Sequence, residues 1–179
     1  MKLLNPYFNL YQALAHSSNT FEQLPAEIRK NLIWAYSWSI PTTEAILKLT
    51  EHSPLLEAGA GTGYWAWLCE QAGGQITAFD RNATAAPHWT AVHAGDASWI
   101  VRHPDKTLFL CWPPLDDRFA ADCLTAYAGQ WLFYVGEFRG RTADTAFHEH
   151  LEREFTLDST VQLPCWPGFS DRLHLFRRK

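Results

Sequence analysis

Three glycines at alternate positions, with acidic residues before and after them, are the part of this sequence best suited to holding a ligand. The glycines are Gly59, Gly61 and Gly63. They follow a short apolar run that ends in Glu57, and a second apolar run ends at Asp80. Glycine has no Cβ, so it permits tight turns and lets a ligand approach the backbone closely. The pattern predicts a strand, a glycine turn, a helix and a second strand, which is half of a nucleotide-binding α/β unit.

The spacing of the glycines indicates which nucleotide is bound. A dinucleotide fingerprint, G-x-G-x-x-G, needs a glycine where this chain has Tyr64, which disfavours a nicotinamide-dependent dehydrogenase. Here the third glycine, Gly63, comes one residue earlier and gives the pattern E-x-G-x-G-x-G. This pattern resembles the first motif of the class I S-adenosylmethionine-dependent methyltransferases. The resemblance covers about residues 33 to 179 and implies S-adenosylmethionine as the cofactor.

Further signals occur in the order in which that family has them. Asp80 lies 21 residues after Gly59, and the resemblance implies that it binds both ribose hydroxyls. Asp96 and the backbone N–H of Ala97 would meet the amino group and a ring nitrogen of adenine. The cofactor-binding residues that the resemblance implies are Tyr36, Glu57, Gly59, Ala60, Gly61, Gly63, Tyr64, Asp80, Arg81, Asp96, Ala97, Cys111 and Trp112.

A double proline that begins at Pro113 bears on the acceptor of the methyl group. Methyltransferases of amino groups in adenine, cytosine or glutamine amides carry a polar residue before such a pair and an aromatic residue after it. This chain has Trp112 and Leu115 at those positions, so we expect a small-molecule acceptor with a reacting N or O atom. Asp116, Glu137 and Pro113 are the candidate catalytic residues. Two alternatives stay open: an amino-group methyltransferase of nucleic acid or protein that uses the Pro-Pro motif, and a non-catalytic S-adenosylmethionine-binding module.

The elements that must position these residues alternate between strand-like and helical patterns. Residues 107–111 and 131–136 are apolar on both faces, which is typical of parallel strands covered by helices. Together with these runs, the resemblance implies an α/β fold: a doubly wound, mostly parallel seven-stranded sheet with a C-terminal antiparallel hairpin. Strands are expected at 161–163 and 173–176, joined by a tight connection, after a helix at 142–155.

The N-terminal region is expected to cover the site. Residues 7–15 and 27–36 have helical patterns, with Pro25 suited to a first turn. Tyr36, Trp38 and Ile40 are candidates for a lid over the cofactor. The expected organisation is one methyltransferase domain over residues 1–179, with a helical lid in 1–39 and a Rossmann-like core in 40–179.

Charge and composition restrict the partners. The chain has 15 Lys and Arg against 19 Asp and Glu, and its net charge is −4. Nucleic-acid binding depends largely on cations that neutralise phosphates, so nucleic acid is an unlikely partner. The nine tryptophans suit a flat or cationic small molecule. No apolar run is long enough to cross a bilayer, and the oligomeric state does not follow from the sequence.

Cysteines and histidines give two further expectations. The four cysteines form no C-x-x-C pair, which indicates free thiols in a reducing compartment and hence a cytoplasmic protein. His148 and His150 are two residues apart on an expected helix and face different ways, so no metal site is expected.

Overall fold

The computed structural model describes residues 3–16, 26–83 and 88–179. Seven strands in these residues form one sheet. In chain order the strands are β1 (Leu55–Ala58), β2 (Ile76–Asp80), β3 (Val92–Ala94), β4 (Thr107–Cys111), β5 (Trp131–Gly136), β6 (Phe155–Gln162) and β7 (Arg172–Arg178).

Helices flank this sheet. They are α1 (Pro6–His16), α2 (Ala26–Ala35), α3 (Thr43–Thr50), α4 (Tyr64–Gln71), α5 (Ser98–Val101), α6 (Phe119–Ala126) and α7 (Thr145–Glu154). Side-chain caps fix where two of them begin. Thr42 accepts a hydrogen bond from the N–H of Ala45 at 3.1 Å, and Asp144 accepts one from the N–H of Phe147 at 2.9 Å. Within the described ranges, no helix is both long enough and apolar enough to cross a membrane.

The sheet has the order β3-β2-β1-β4-β5-β7-β6. Strands β1 to β5 are parallel, whereas β7 is antiparallel to both of its neighbours. Ala58 at the end of β1 pairs with Phe79 on one side and Leu110 on the other, so these strands end at the same edge. The chain order reverses between β1 and β4, and ligands of such sheets bind at this reversal. The expected doubly wound sheet with its C-terminal hairpin is confirmed.

Helices cover both faces of the sheet, so both faces are buried. Successive residues of a strand point to opposite faces, so each strand contributes side chains to both cores. Leu56 and Leu108 pack on the face covered by α5, α6 and α7. Leu55 and Phe109 pack on the other face, which α1, α3 and α4 cover. Continuous apolar runs in the sequence thus supply two cores and leave the carboxyl ends of the strands to form the site.

The C-terminal hairpin differs from the expectation in its extent. Strand β6 begins at Phe155, directly after α7, instead of at residue 161, and its connection to β7 spans residues 163–171. Most of β6 is exposed because it is an edge strand, so four of the five residues at positions 156–160 are polar, and they hide the strand pattern. A register irregularity between Leu157 and Ser159 interrupts the alternation further.

The two N-terminal helices have different roles. Tyr7 of α1 is fully buried, and its hydroxyl accepts a hydrogen bond from Nε1 of Trp166 at 3.0 Å, so α1 belongs to the core. Helix α2 has no buried residue and lies over the cavity described below. Ile40, expected in the lid, is fully buried in the core instead. The expectation for Pro25 falls outside the described residues.

Candidate functional site

A cavity of about 780 Å³ lies between the glycine loop and helix α2. Its size is within the range of small-molecule and cofactor sites. The strand ends form one wall, and α2 with the segment after it forms the other. The lining residues are Ala26, Arg29, Lys30, Ile33, Trp34, Tyr36, Ser37, Trp38, Glu57, Gly59, Ala60, Gly61, Thr62, Trp65, Asp80, Asn82 and Cys111.

All three glycines of the loop need the left-handed conformation. Their φ angles are +75° for Gly59, +55° for Gly61 and +73° for Gly63. A Cβ on Gly59 would lie 3.1 Å from Phe119, whereas a Cβ on Gly61 would meet no protein atom within 4 Å. Gly59 is therefore constrained by packing inside the protein. Gly61 presents bare backbone to the cavity, where a ligand can approach it.

The carboxylate of Asp80 lies at the end of β2 and organises the loop beside it. Its Oδ2 accepts a hydrogen bond from the N–H of Gly61 at 2.9 Å, and its Oδ1 accepts one from the N–H of Asn82 at 2.7 Å. Each oxygen keeps a free lone pair, because a carboxylate offers about four acceptor sites. Asp80 lines the cavity and can still accept from ligand hydroxyls.

Glu57 and Cys111 form the deep part of the wall. Glu57 is 1% exposed, and burial raises its pKa to about 8, with a hydrogen bond from the Ala66 backbone opposing the rise. Its Oε2 atom is buried and has no hydrogen-bond partner among the described residues. Burial also raises the pKa of the Cys111 thiol. At neutral pH both groups are thus neutral, and Glu57 holds an unused polar atom beside the cavity.

The covering segment is tied to the glycine loop by hydrogen bonds. The Thr62 hydroxyl donates to the carbonyl of Tyr36. Nε1 of Trp89 donates to the carbonyl of Ala35 at 2.7 Å, and the Trp89 N–H donates to the carbonyl of Thr62 at 2.9 Å. The ring of Tyr36 stacks on that of Tyr7 with centroids 4.8 Å apart. The C-terminal end of α2 is therefore held at a fixed place over the loop.

Seven of the predicted cofactor residues line the cavity: Tyr36, Glu57, Gly59, Ala60, Gly61, Asp80 and Cys111. The other six lie around it. Gly63 is the N-cap of α4, and the hydroxyl of the fully buried Tyr64 donates to Asn5 at 2.8 Å. The Arg81 guanidinium pairs with Asp117.

The remaining three predicted cofactor residues follow β3 and β4. Asp96 is exposed, accepts a hydrogen bond from the N–H of Ser98 at 2.9 Å, and precedes Ala97 at the start of α5. The paired strands β2 and β3 bring it near Asp80, because Ala94 is the register partner of Asp80. Trp112 stacks on Trp38, which itself lines the cavity.

The three predicted catalytic residues lie outside the cavity wall. The Pro113 carbonyl accepts a hydrogen bond from the N–H of Ala143 at 2.8 Å, and Asp116 is exposed in a turn. Glu137 is 7% exposed and accepts from the Ser170 N–H at 2.9 Å. It also pairs with Arg141 at 3.4 Å. Each residue has a local structural contact or faces solvent, and none of the three is among the residues that line the cavity.

Sequence reasoning missed the inner face of α2. The lining residues Ala26, Arg29, Lys30, Ile33 and Trp34 recur with helical spacing. That spacing indicates that these residues share one face of a helix. The sequence contains no signal for which surface the face covers, because its partner lies more than 20 residues away along the chain.

No cluster of three or more metal-ligating side chains occurs in residues 3–16, 26–83 and 88–179. His148 is buried in α7, with Nε2 2.9 Å from the carbonyl oxygen of Thr142. Burial lowers its pKa. A structural role in the core accounts for this histidine.

Comparisons with known proteins give a fold but no sequence family. No family model matches the sequence, and no curated protein matches it. The structure is similar to that of 1,6-didemethyltoxoflavin-N1-methyltransferase from Burkholderia thailandensis, with a TM-score of 0.52 at 15% identity over 100% of this chain and 92% of that one. It is similar to magnesium protoporphyrin IX methyltransferase from Synechocystis, with a TM-score of 0.50 at 13% identity over 89% and 84%.

A third similar structure is TrmN from Thermus thermophilus, with a TM-score of 0.51 at 17% identity. The match covers 76% of this chain and 48% of TrmN, so the chain spans about half the length of that protein. Identities this low establish the fold alone. The chain has the class I, Rossmann-like fold of the S-adenosylmethionine-dependent methyltransferases, which confirms at the level of fold the resemblance seen in the sequence.

Proposed function

We propose that this protein is an S-adenosylmethionine-dependent methyltransferase that acts on a small molecule through an N or O atom. The observation that carries the proposal is the cavity itself. It joins two left-handed glycines, Gly59 and Gly61, a strand-end carboxylate and a covering helix at the reversal of the sheet. Solved structures with this fold include a complex with S-adenosylmethionine and one with S-adenosylhomocysteine and 1,6-didemethyltoxoflavin.

The residues present fit this cofactor in three ways. Gly61 offers backbone with open space in front of it, which suits a ligand that lies against the loop. Asp80 has lone pairs for two ribose hydroxyls. The unpaired Oε2 of Glu57 is an acceptor for the ammonium group of the amino-acid part, and a cation beside it favours its ionised form.

The protein's part in the reaction is positioning and exclusion of water. When bound, the cofactor would supply a methyl group on a cationic sulfonium to a lone pair of the acceptor N or O; the neutral thioether would be the leaving group, and the proton of an N–H or O–H acceptor would pass to solvent. Trp38 and Trp34 cover the cavity from the side of α2 and limit access of water. Placing two reactants in line accounts for most of the rate that such a site can supply.

The two alternatives have less support. An amino-group methyltransferase would use a polar side chain before the double proline as an acceptor, and this chain has Trp112 there. A non-catalytic module needs no space for an acceptor, whereas a cavity of about 780 Å³ has room for a second ligand beside a nucleoside-sized one.

We also propose that the protein is cytoplasmic, since its four cysteines are free thiols in the structure. Nucleic acid and membranes are not proposed as partners, because the net charge is −4.

Calorimetric titration tests the cofactor, and transfer of a radiolabelled methyl group tests the reaction. S-adenosylhomocysteine should bind, whereas NAD and ATP should not. Labelled methyl groups should appear in small molecules of a metabolite extract. Binding of NAD without S-adenosylhomocysteine would contradict the proposal, and label found only in RNA, DNA or protein would refute the acceptor class. Tight cofactor binding without any transfer would favour the non-catalytic module.

A further inference from the structure

Arg29 of α2 is a half-buried cation that lines the cavity and forms no ion pair with a described residue. Its guanidinium carbon lies 4.7 Å from the centroid of the Phe169 ring. Arg141 lies against the same ring, at 4.8 Å, but is paired with Glu137. No carboxylate of the described residues lies within 4 Å of Arg29. A partly desolvated cation without a counter-ion is stabilised by an anionic ligand.

The position of Arg29 indicates that its anionic ligand is the acceptor of the methyl group and not the nucleoside part of the cofactor. Asp80 ends β2, on one side of β1, whereas Phe169 precedes β7, beyond β4 and β5 on the other side. Arg29 contacts Phe169 and also borders a small recess whose walls include Trp112 and Asp171. A nucleoside whose ribose is held by Asp80 therefore leaves Arg29 on the opposite side of the cavity, and this is the side available to the acceptor.

Trp38 presents a flat apolar surface next to Arg29. One face of its ring stacks on Trp112, with centroids 4.8 Å apart and an angle of 12° between the planes. The side chain is 49% exposed and lines the cavity. A hydrogen bond fixes the segment that carries Trp38: the hydroxyl of Ser39, the next residue, donates to Asp171 at 2.7 Å. Aromatic rings prefer such pre-positioned faces for offset stacking.

We propose that the acceptor is a planar aromatic molecule with an anionic substituent, its ring on Trp38 and its anion paired with Arg29. This inference rests on the proposed methyltransferase function and specifies its substrate class. An aromatic surface beside Asp171 would also suit a cationic acceptor. However, burial raises the pKa of Asp171, which favours its neutral form and weakens its attraction for a cation. Arg29 already places a positive charge at this point. Arg29 thus repels a cation and attracts a carboxylate, with which a guanidinium forms two parallel hydrogen bonds.

Pairs of aromatic acids and their neutral amides test this assignment. The probes are 2-naphthoate with 2-naphthamide and indole-3-carboxylate with indole-3-carboxamide, titrated by calorimetry into protein saturated with S-adenosylhomocysteine. We expect at least one acid to bind at least tenfold more tightly than its amide. Arg29→Gln should reduce that ratio to less than twofold and leave the affinity for S-adenosylhomocysteine unchanged. Trp38→Leu should weaken the acid and the amide by similar factors.

Two further variants separate contact from general charge. Arg102→Gln removes one positive charge at an exposed position after α5 and should keep the acid preference. Arg29→Lys should keep part of the preference for the acid that Arg29→Gln loses. Equal binding of acids and amides, or binding of neither, would overturn the inference while the methyltransferase proposal stands. Loss of S-adenosylhomocysteine affinity in Arg29→Gln, with the ratio kept, would assign Arg29 to the cofactor carboxylate and overturn it too. If S-adenosylhomocysteine does not bind to the unmodified protein, the proposed function and this inference both fail.

Discussion

Two glycines of this chain allow the effect of a side chain on ligand binding to be separated from its effect on folding. Gly61 lies in the cavity loop with φ of +55°, and Gly73 follows α4 with φ of +87°. A Cβ on either residue would meet no protein atom within 4 Å. Gly61→Ala and Gly73→Ala therefore impose the same kind of backbone strain without steric overlap, but only the first places a methyl group in the cavity.

The two substitutions should cost the protein similar stability. An L-residue in the left-handed region costs about 1–2 kcal/mol. For a chain of this length that corresponds to a fall in Tm of about 2–8 °C. The ligand responds differently, because a ligand in contact with the loop at Gly61 must move away from the new Cβ. We expect Gly61→Ala to weaken binding of S-adenosylhomocysteine at least tenfold, or about 1.4 kcal/mol, and Gly73→Ala to leave it unchanged.

Thermal unfolding with and without S-adenosylhomocysteine measures both quantities. At a concentration one hundred times Kd the ligand should stabilise the unmodified protein and Gly73→Ala by about 2.7 kcal/mol, or about 5–10 °C. The stabilisation should be much smaller for Gly61→Ala, and calorimetric titration should give the corresponding Kd. If the Kd values of the two variants agree within twofold, the loop does not touch the ligand and the cofactor site is assigned to the wrong surface.

Other substitutions test the neighbouring groups. Asp80→Ala should weaken S-adenosylhomocysteine binding by about 1.5–3 kcal/mol, since it removes a charged acceptor for two hydroxyls. Asp96→Ala should weaken it by about 0.5–1.5 kcal/mol. Equally small losses of affinity in calorimetric titrations of both variants would refute these roles. Burial raises the pKa of Glu57 to about 8, above its unfolded value of 4.5. Between these two values the unfolded state has lost the proton and the folded state keeps it, so the free energy of unfolding falls as the pH rises toward 8. Glu57→Gln should therefore gain stability relative to the parent between pH 5 and pH 9 in urea unfolding; a constant difference would contradict this. Burial lowers the pKa of His174 to about 4 from 6.5, so only the unfolded state takes up its proton as the pH falls below 6.5. The protein should lose about 1–2 kcal/mol from this group between pH 6.5 and pH 5, and His174→Gln should lack that part of the loss in urea unfolding. An unchanged pH dependence would show that His174 is not the group responsible.

Patterns close together in the sequence predicted most of the fold. The apolar runs at β1, β2, β4 and β5 are continuous because both faces of these strands are buried, and they were located correctly. The glycine loop was also located, and the left-handed φ of each of its glycines explains why no other residue type stands there. Strand β6 was mostly missed because an edge strand of an antiparallel pair carries polar residues on its exposed positions.

The cavity wall formed by α2 had no comparable signal. Its residues follow the helical period, but the same spacing occurs in a helix that packs on a core or faces solvent. What places α2 over the glycine loop is a set of tertiary hydrogen bonds, from Thr62 to Tyr36 and from Trp89 to Ala35. These link positions 26 and 54 residues apart, so no local pattern contains them. Half of the site was therefore out of reach of reasoning from local spacing.

Asp80 and Glu137 show how similar sequence patterns lead to different roles. Each acid comes at the end of a buried parallel strand, where ligands of such sheets bind. Asp80 is followed by a turn that satisfies it through two backbone N–H groups and leaves it on the cavity wall. Glu137 pairs with Arg141 four residues later and accepts from the Ser170 N–H, so it joins the turn after β5 to the loop that precedes β7. Asp80 is also followed by a cation, Arg81, but that guanidinium pairs with Asp117. The partner that each cation takes is set by the tertiary structure, and it separates the acid on the cavity wall from the acid that joins two loops.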